Sequence, residues 1–114
     1  MPYVVKEVPD IWVDVEIHTP GMDEPESLHA RWRLYPYPEA RARVEAIQAG
    51  EIEDEQLVEE DLLELSGALT ADGKPLPHCQ ELVDDVMHKT YARRALILSW
   101  YRAQEGRAAA AEKN

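Results

Sequence analysis

The sequence predicts an α+β fold in one domain, an N-terminal β-hairpin followed by about four helices. Three observations carry this. Apolar and polar residues alternate with a period of two over residues 11–17 and again over 28–34. From residue 37 onward the apolar residues recur at helical spacing instead. The length of 114 residues suits one domain that buries roughly two-thirds of its unfolded surface. The expected divisions are a hairpin over about 1–35, a helical part over about 37–112 and a short tail at 113–114.

In the first strand Ile11, Val13, Val15 and Ile17 share one face, and Trp12, Asp14 and Glu16 share the other. The stretch Thr19 to Ser27 contains Pro20, Gly21 and Pro25 and reads as a loop. The second strand, Leu28 to Leu34, turns Leu28, Ala30, Trp32 and Leu34 inward and His29, Arg31 and Arg33 outward. Antiparallel pairing is expected to set Asp14 and Glu16 against Arg31 and Arg33, for about 0.2–1 kcal/mol per pair.

Pro36 and Pro38 end the strand, since proline cannot donate to a ladder, and Pro38 suits the first turn of a helix. That helix is expected to reach Ala49, with Ala40, Val44 and Ile47 on its inner stripe and Gly50 behind it. A second helix is expected over Asp54 to Ser66, carrying Leu57, Val58, Asp61, Leu62 and Leu65 inward, with Gly67 closing it. Thr70 to Pro77 is a turn around Asp72-Gly73, or a small ribbon, with too many prolines for a central strand. A third helix over Cys79 to His88 is expected to bury Cys79, Leu82, Val83, Val86 and Met87. The last helix starts near Thr90, a competent N-cap, and extends toward Glu112.

Between Ala95 and Tyr101 the last helix is apolar on nearly every side. Either it is a central helix wrapped by the other elements, or part of it is an interface. Tyr91, Leu98, Trp100 and Tyr101 are the candidate partner-binding residues on the second reading, because large aromatic and apolar side chains dominate desolvated contacts. Self-association into a homo-oligomer is expected from the same surplus.

Net charge is −11, which repels phosphate and argues against nucleic acid and against anionic membrane surfaces as partners. The charge is also divided along the chain. Residues 45–85 hold thirteen acidic residues against Lys74, while residues 88–114 hold six basic residues against Glu105 and Glu112. The asymmetry joins the last helix to the acidic one within a subunit, or joins copies head to tail. The lone Cys79 has no intrachain disulfide partner, and acidic residues interrupt the first twenty positions where a signal peptide needs a continuous apolar core. The cytoplasm is the expected compartment. No apolar run approaches the ~20 residues that span a bilayer.

No catalytic, cofactor or metal constellation emerges. Adjacent helical residues diverge by roughly 100°, so His78 and Cys79 do not form a nucleophile and base. Asp84 and Asp85 with His88 have the spacing of a helical metal motif, but a carboxylate-bridged site needs a second such helix. The acids of 51–64 alternate with apolar residues as a solvated helix face does, and Asp72-Gly73 lacks the alternating oxygen ligands of a calcium loop.

The order of features resembles the tail assembly chaperones of long-tailed bacteriophages and prophages. The resemblance rests on Leu28-His-Ala-Arg-Trp-Arg-Leu34, the proline-marked short helix, the acidic helix, the turn Asp72-Gly73-Lys-Pro-Leu-Pro77 with the leucine helix behind it, and Tyr91-Ala-Arg-Arg-Ala-Leu96 leading to Lys113-Asn114. It covers most of the chain. Where the family often has Trp before the turn and Phe after it, this chain has Ser66-Gly67-Ala68 and His78-Cys79. The resemblance implies a non-enzymatic helper in the host cytoplasm that oligomerises, coats the tape measure protein and recruits major tail protein subunits, without a cofactor. Two other classes share the size and acidity: a head-tail joining or minor virion protein, and a small acidic regulator or inhibitor of a basic partner.

Overall fold

Apolar residues at every second position and an eight-residue loop build the hairpin of β1 (Asp10–Ile17) and β2 (Glu26–Arg33), paired antiparallel from Asp10↔Arg33 to Ile17↔Glu26. The computed structural model describes residues 1–106; the last helix ends at Gln104, short of the expected Glu112, with Gly106 at φ +80 behind it, and the 113–114 tail lies outside the described residues. As the alternation predicts, Val13, Val15, Ile17, Leu28, Ala30 and Trp32 are buried on one face. The opposite face carries the polar residues, but their register differs from expectation. Arg33 faces Asp10, Arg31 faces Trp12 and His29 faces Asp14. Arg31 lies over the Trp12 ring, 5.8 Å from its centroid, and reaches Asp10 at 3.4 Å and Glu64 at 3.2 Å. Loop length sets hairpin register, and an eight-residue loop leaves it open in the sequence.

Pro36-Tyr37-Pro38 ends the ladder as predicted, and α1 follows (Tyr37–Gln48), with Gly50 behind it at φ +77, a conformation that glycine adopts without strain. None of its residues is buried, although Val44 and Ile47 touch the core. The acidic helix α2 (Asp54–Asp61) is shorter than expected. Residues Leu62–Ser66 form a strand, β3, which pairs antiparallel with the free side of β2 and completes a sheet of order β1-β2-β3. The ladder has an irregularity between Arg31 and Trp32. Gly67 follows β3 at φ +89, where an added Cβ would lie 3.1 Å from the His29 ring. The turn around Asp72-Gly73 is a small ribbon of β4 (Ala68–Leu69) and β5 (Pro75–Leu76).

Helices α3 (Gln80–His88) and α4 (Thr90–Gln104) are separated by Lys89 alone, which has extended backbone angles and takes the cap position expected of Thr90. Cys79, expected inside α3, precedes it and is only half-buried, as is Met87. The sheet's apolar face is covered by α4, against which α3 also packs. Ala92, Leu96, Ser99, Trp100 and Ala103 form the buried stripe of α4 at the i, i+4, i+7 spacing of a helix facing a sheet. One polar seam crosses this core and a second runs along its rim. The Trp32 indole N–H donates to Ser99 Oγ at 2.8 Å, and the Ser99 hydroxyl donates to the Leu96 carbonyl at 2.5 Å. The N–H of Tyr35 donates to Gln104 Oε1 at 3.1 Å, and Gln104 Nε2 donates to the Arg33 carbonyl at 2.8 Å.

Candidate functional site: the cleft between α2 and α3

Helical spacing gives the two central helices facing stripes. On α2 and the start of β3, Glu55, Val58, Glu59 and Leu62 line a cleft. On α3, Gln80, Val83, Asp84 and Met87 do the same, and His78 also contributes. The cleft encloses about 370 Å³. Its apolar surface comes from Val58, Leu62, Val83 and Met87, its charge from three carboxylates, and no Lys or Arg lines it.

The carboxylates differ in what holds them. Glu55 is paired with Arg93 of α4 at 2.6 Å, and that hydrogen bond keeps its carboxyl below the usual range. Asp84 accepts from Gln80 Nε2 at 2.8 Å, while Glu59 has no partner among the described residues. His78 is committed to the fold, since its Nδ1 accepts the Leu65 N–H at 3.0 Å, a bond that requires this nitrogen unprotonated. It sits next to Cys79 in sequence, but no bond joins the two side chains.

The cleft's α2 wall is fixed from behind by Asp61, which is completely buried. Its Oδ1 accepts from the Tyr35 hydroxyl at 2.5 Å, and its Oδ2 accepts from Trp100 Nε1 at 2.9 Å and Arg43 Nε at 3.1 Å. Arg43 also reaches Glu60 at 2.9 Å and lies over the Tyr35 ring, so one arginine ties α1 to the end of α2. Burial first, and then the bond to Asp61, push the Tyr35 hydroxyl up to about 12. A phenol held so firmly in its neutral form, with its oxygen already engaged, is a structural bolt and a poor proton donor for catalysis.

The four partner-binding candidates of α4 are not brought together on one surface. Trp100 is fully buried and bonded to Asp61, so it is a core residue, correcting its expected place on an interface. Tyr101 packs edge-on to Trp100, ring centroids 5.0 Å apart, and burial raises its hydroxyl pKa; Tyr91 is half-buried too. Leu98 alone stands out, at 51% exposure. The surplus of apolar residues in 95–101 is mostly absorbed by the sheet and by α3, the wrapped-helix alternative.

Sequence reasoning missed the cleft and the role of Asp61. The signals were present. An aspartate on the same stripe as Leu57 and Val58 needs buried donors, and the acids of Glu55/Glu59 and Asp84 each recur beside apolar residues on one helical face. Among the described residues no group of three or more His, Cys, Asp or Glu side chains is arranged to hold a metal, and no helix is long and apolar enough to cross a membrane.

The fold and cleft define a small α+β protein with a two-helix acidic groove. No family model matches this chain, and neither does any curated protein or solved structure.

Proposed function

We propose that this chain is a non-enzymatic binding protein whose α2–α3 cleft takes the apolar face of a helical client segment flanked by basic residues. One observation carries the reading: apolar residues of two helices lie between carboxylates, with no basic residue lining the cleft. Amphipathic helices seat in such grooves by anchor side chains at i, i+3 or i+4, and about 370 Å³ receives the anchors of one or two helical turns. The resemblance to phage tail assembly chaperones supplies the client class. The tape measure protein is the long helical client, the major tail protein is the second partner, and the chaperone works in the host cytoplasm as a homo-oligomer.

The test is co-expression pull-down of tape measure segments with the wild-type chain and with the double variant Glu59→Lys, Asp84→Lys. Neither residue pairs with an arginine, so circular dichroism should be unchanged. Capture is expected to fall more than tenfold, as for the loss of a hot spot of about 1.4 kcal/mol or more, and added salt should weaken wild-type capture. Full capture by the folded variant, or loss of capture only on replacing Leu98 and Tyr101 together, would move the contact to α4. A slippery run near the 3′ end of the gene, followed by one very long helical open frame, would support the client assignment.

A further inference from the structure

The outer edge of β1 has no neighbouring strand among the described residues, the segment ahead of it belongs to no element, and the two match. β1 has β2 on one side and no strand on the other. The Leu34 N–H donates to the Pro9 carbonyl at 2.9 Å, so Pro9 and Leu34 form a hydrogen-bonded pair, and such pairs recur at every second residue of an antiparallel ladder. In the observed register the odd-numbered residues of β1 therefore bond to β2. Asp10, Trp12, Asp14 and Glu16 turn their backbone groups to the open edge. The Asp14 carbonyl is indeed turned away from β2, since Arg102 donates to it from α4.

Residues 1–9 precede this strand, belong to no helix or strand and are exposed throughout. They include Tyr3, Val4, Val5 and Val8, residues of high β-propensity, at 87%, 64%, 89% and 49% exposure. The segment does not turn back onto its own strand. Pro9 is already in the ladder, so the reversal would fall in Lys6-Glu7-Val8, which has no glycine, asparagine or aspartate to form a tight turn.

We propose that residues 3–8 of one copy add to the β1 edge of a second copy, antiparallel and reciprocally about a twofold axis, fusing two three-stranded sheets into one of six strands. Pro9 does not obstruct this, because its missing N–H lies on the β2 side. A twofold register that sets Lys6 across from Asp14 also sets Val8 across from Trp12, giving an opposite-charge pair and an apolar pair on the polar face. The same register brings Asp10 against its own copy, and Arg31, 3.4 Å away, offsets that repulsion. The Asp14 carbonyl keeps a second lone pair beside the one that Arg102 uses.

Trp12 reports on the contact, because it is 37% exposed whereas Trp32 and Trp100 are fully buried. Sedimentation and acrylamide quenching would compare the full chain, a chain lacking residues 2–8, and the double variant Val5→Lys, Val8→Lys, whose changes touch no buried side chain. The full chain is expected to be dimeric at micromolar concentration with Trp12 shielded. Both variants are expected to be monomeric with quenching raised several-fold, and a peptide of residues 1–9 should restore shielding to the truncated chain. A monomeric full chain, or dimers that survive in either variant, would overturn the proposal. Client capture by the truncated chain, scored separately, reports on the cleft alone, so the two readings fail independently.

Discussion

Asp61 shows how much one residue can fix. A carboxylate with no exposure is tolerated because an indole, a phenol and a guanidinium all donate to it, from α4, the β2–α1 connection and α1. Removing one partner of a buried charged pair leaves the other uncompensated, so Asp61→Ala is expected to cost about 3–5 kcal/mol in urea unfolding. A loss under 1 kcal/mol would show the network to be dispensable. Trp100→Ala is expected to lose stability through the cavity it opens, which makes it a test of folding, not of binding. Tyr35 adds a pH signature. The native state holds its proton more tightly than the unfolded chain, with a pKa raised from 10.0 to about 12. Its contribution is therefore complete below pH 10 and is lost as pH rises toward 12. Wild type should lose stability over that window more steeply than Tyr35→Phe, and parallel pH profiles would contradict the assignment.

Among the elements, α1 and α4 mark the two extremes. α1 has no buried residue and is held by Arg43 and by partial packing of Val44 and Ile47, whereas α4 fills the centre of the core. Amide hydrogen exchange is expected to release α1 well before α4, and equal protection would mean that α1 unfolds only with the whole domain. The hairpin and three of the four helices were legible because each repeats one period over enough residues. Leu62-Leu-Glu-Leu-Ser66 was not, since five residues fit the end of a helical stripe as well as a short strand, and the choice is made by the unpaired edge of β2, which local sequence does not display. The cross-strand charge pairs failed for a related reason: faces follow from alternation, but partners follow from the loop. On α4, seven consecutive mainly apolar residues gave no stripe from which to tell Trp100 from Leu98.

At the scale of the whole molecule, the division of charge is used at least partly inside one chain. Arg93 of α4 bonds Asp54 at 3.2 Å and Glu55 at 2.6 Å, joining the basic end of the sequence to its acidic middle. Arg43 neutralises Glu60 and Asp61 from the other side. Much of the remaining negative charge lies near the cleft or toward water, where it attracts basic groups and repels acidic ones. The cleft and the β1 edge involve different elements. Client capture and self-association are therefore separable properties in the two proposals, and their variants do not overlap.

The cleft has unequal walls. α2 passes into β3 with no connecting residue, is bolted through Asp61, and is gripped at its start by Arg93. α3 is joined to α4 through Lys89 alone and to the ribbon through Pro77, His78 and the extended Cys79, with His78 accepting the Leu65 N–H. α2 is held through its strand and Asp61, whereas α3 is held by its buried stripe of Leu82, Val83 and Val86 and by packing against α4. On the reading proposed above, a client would meet a groove of set width, and its size would be selected at the anchor side chains instead of by movement of the walls.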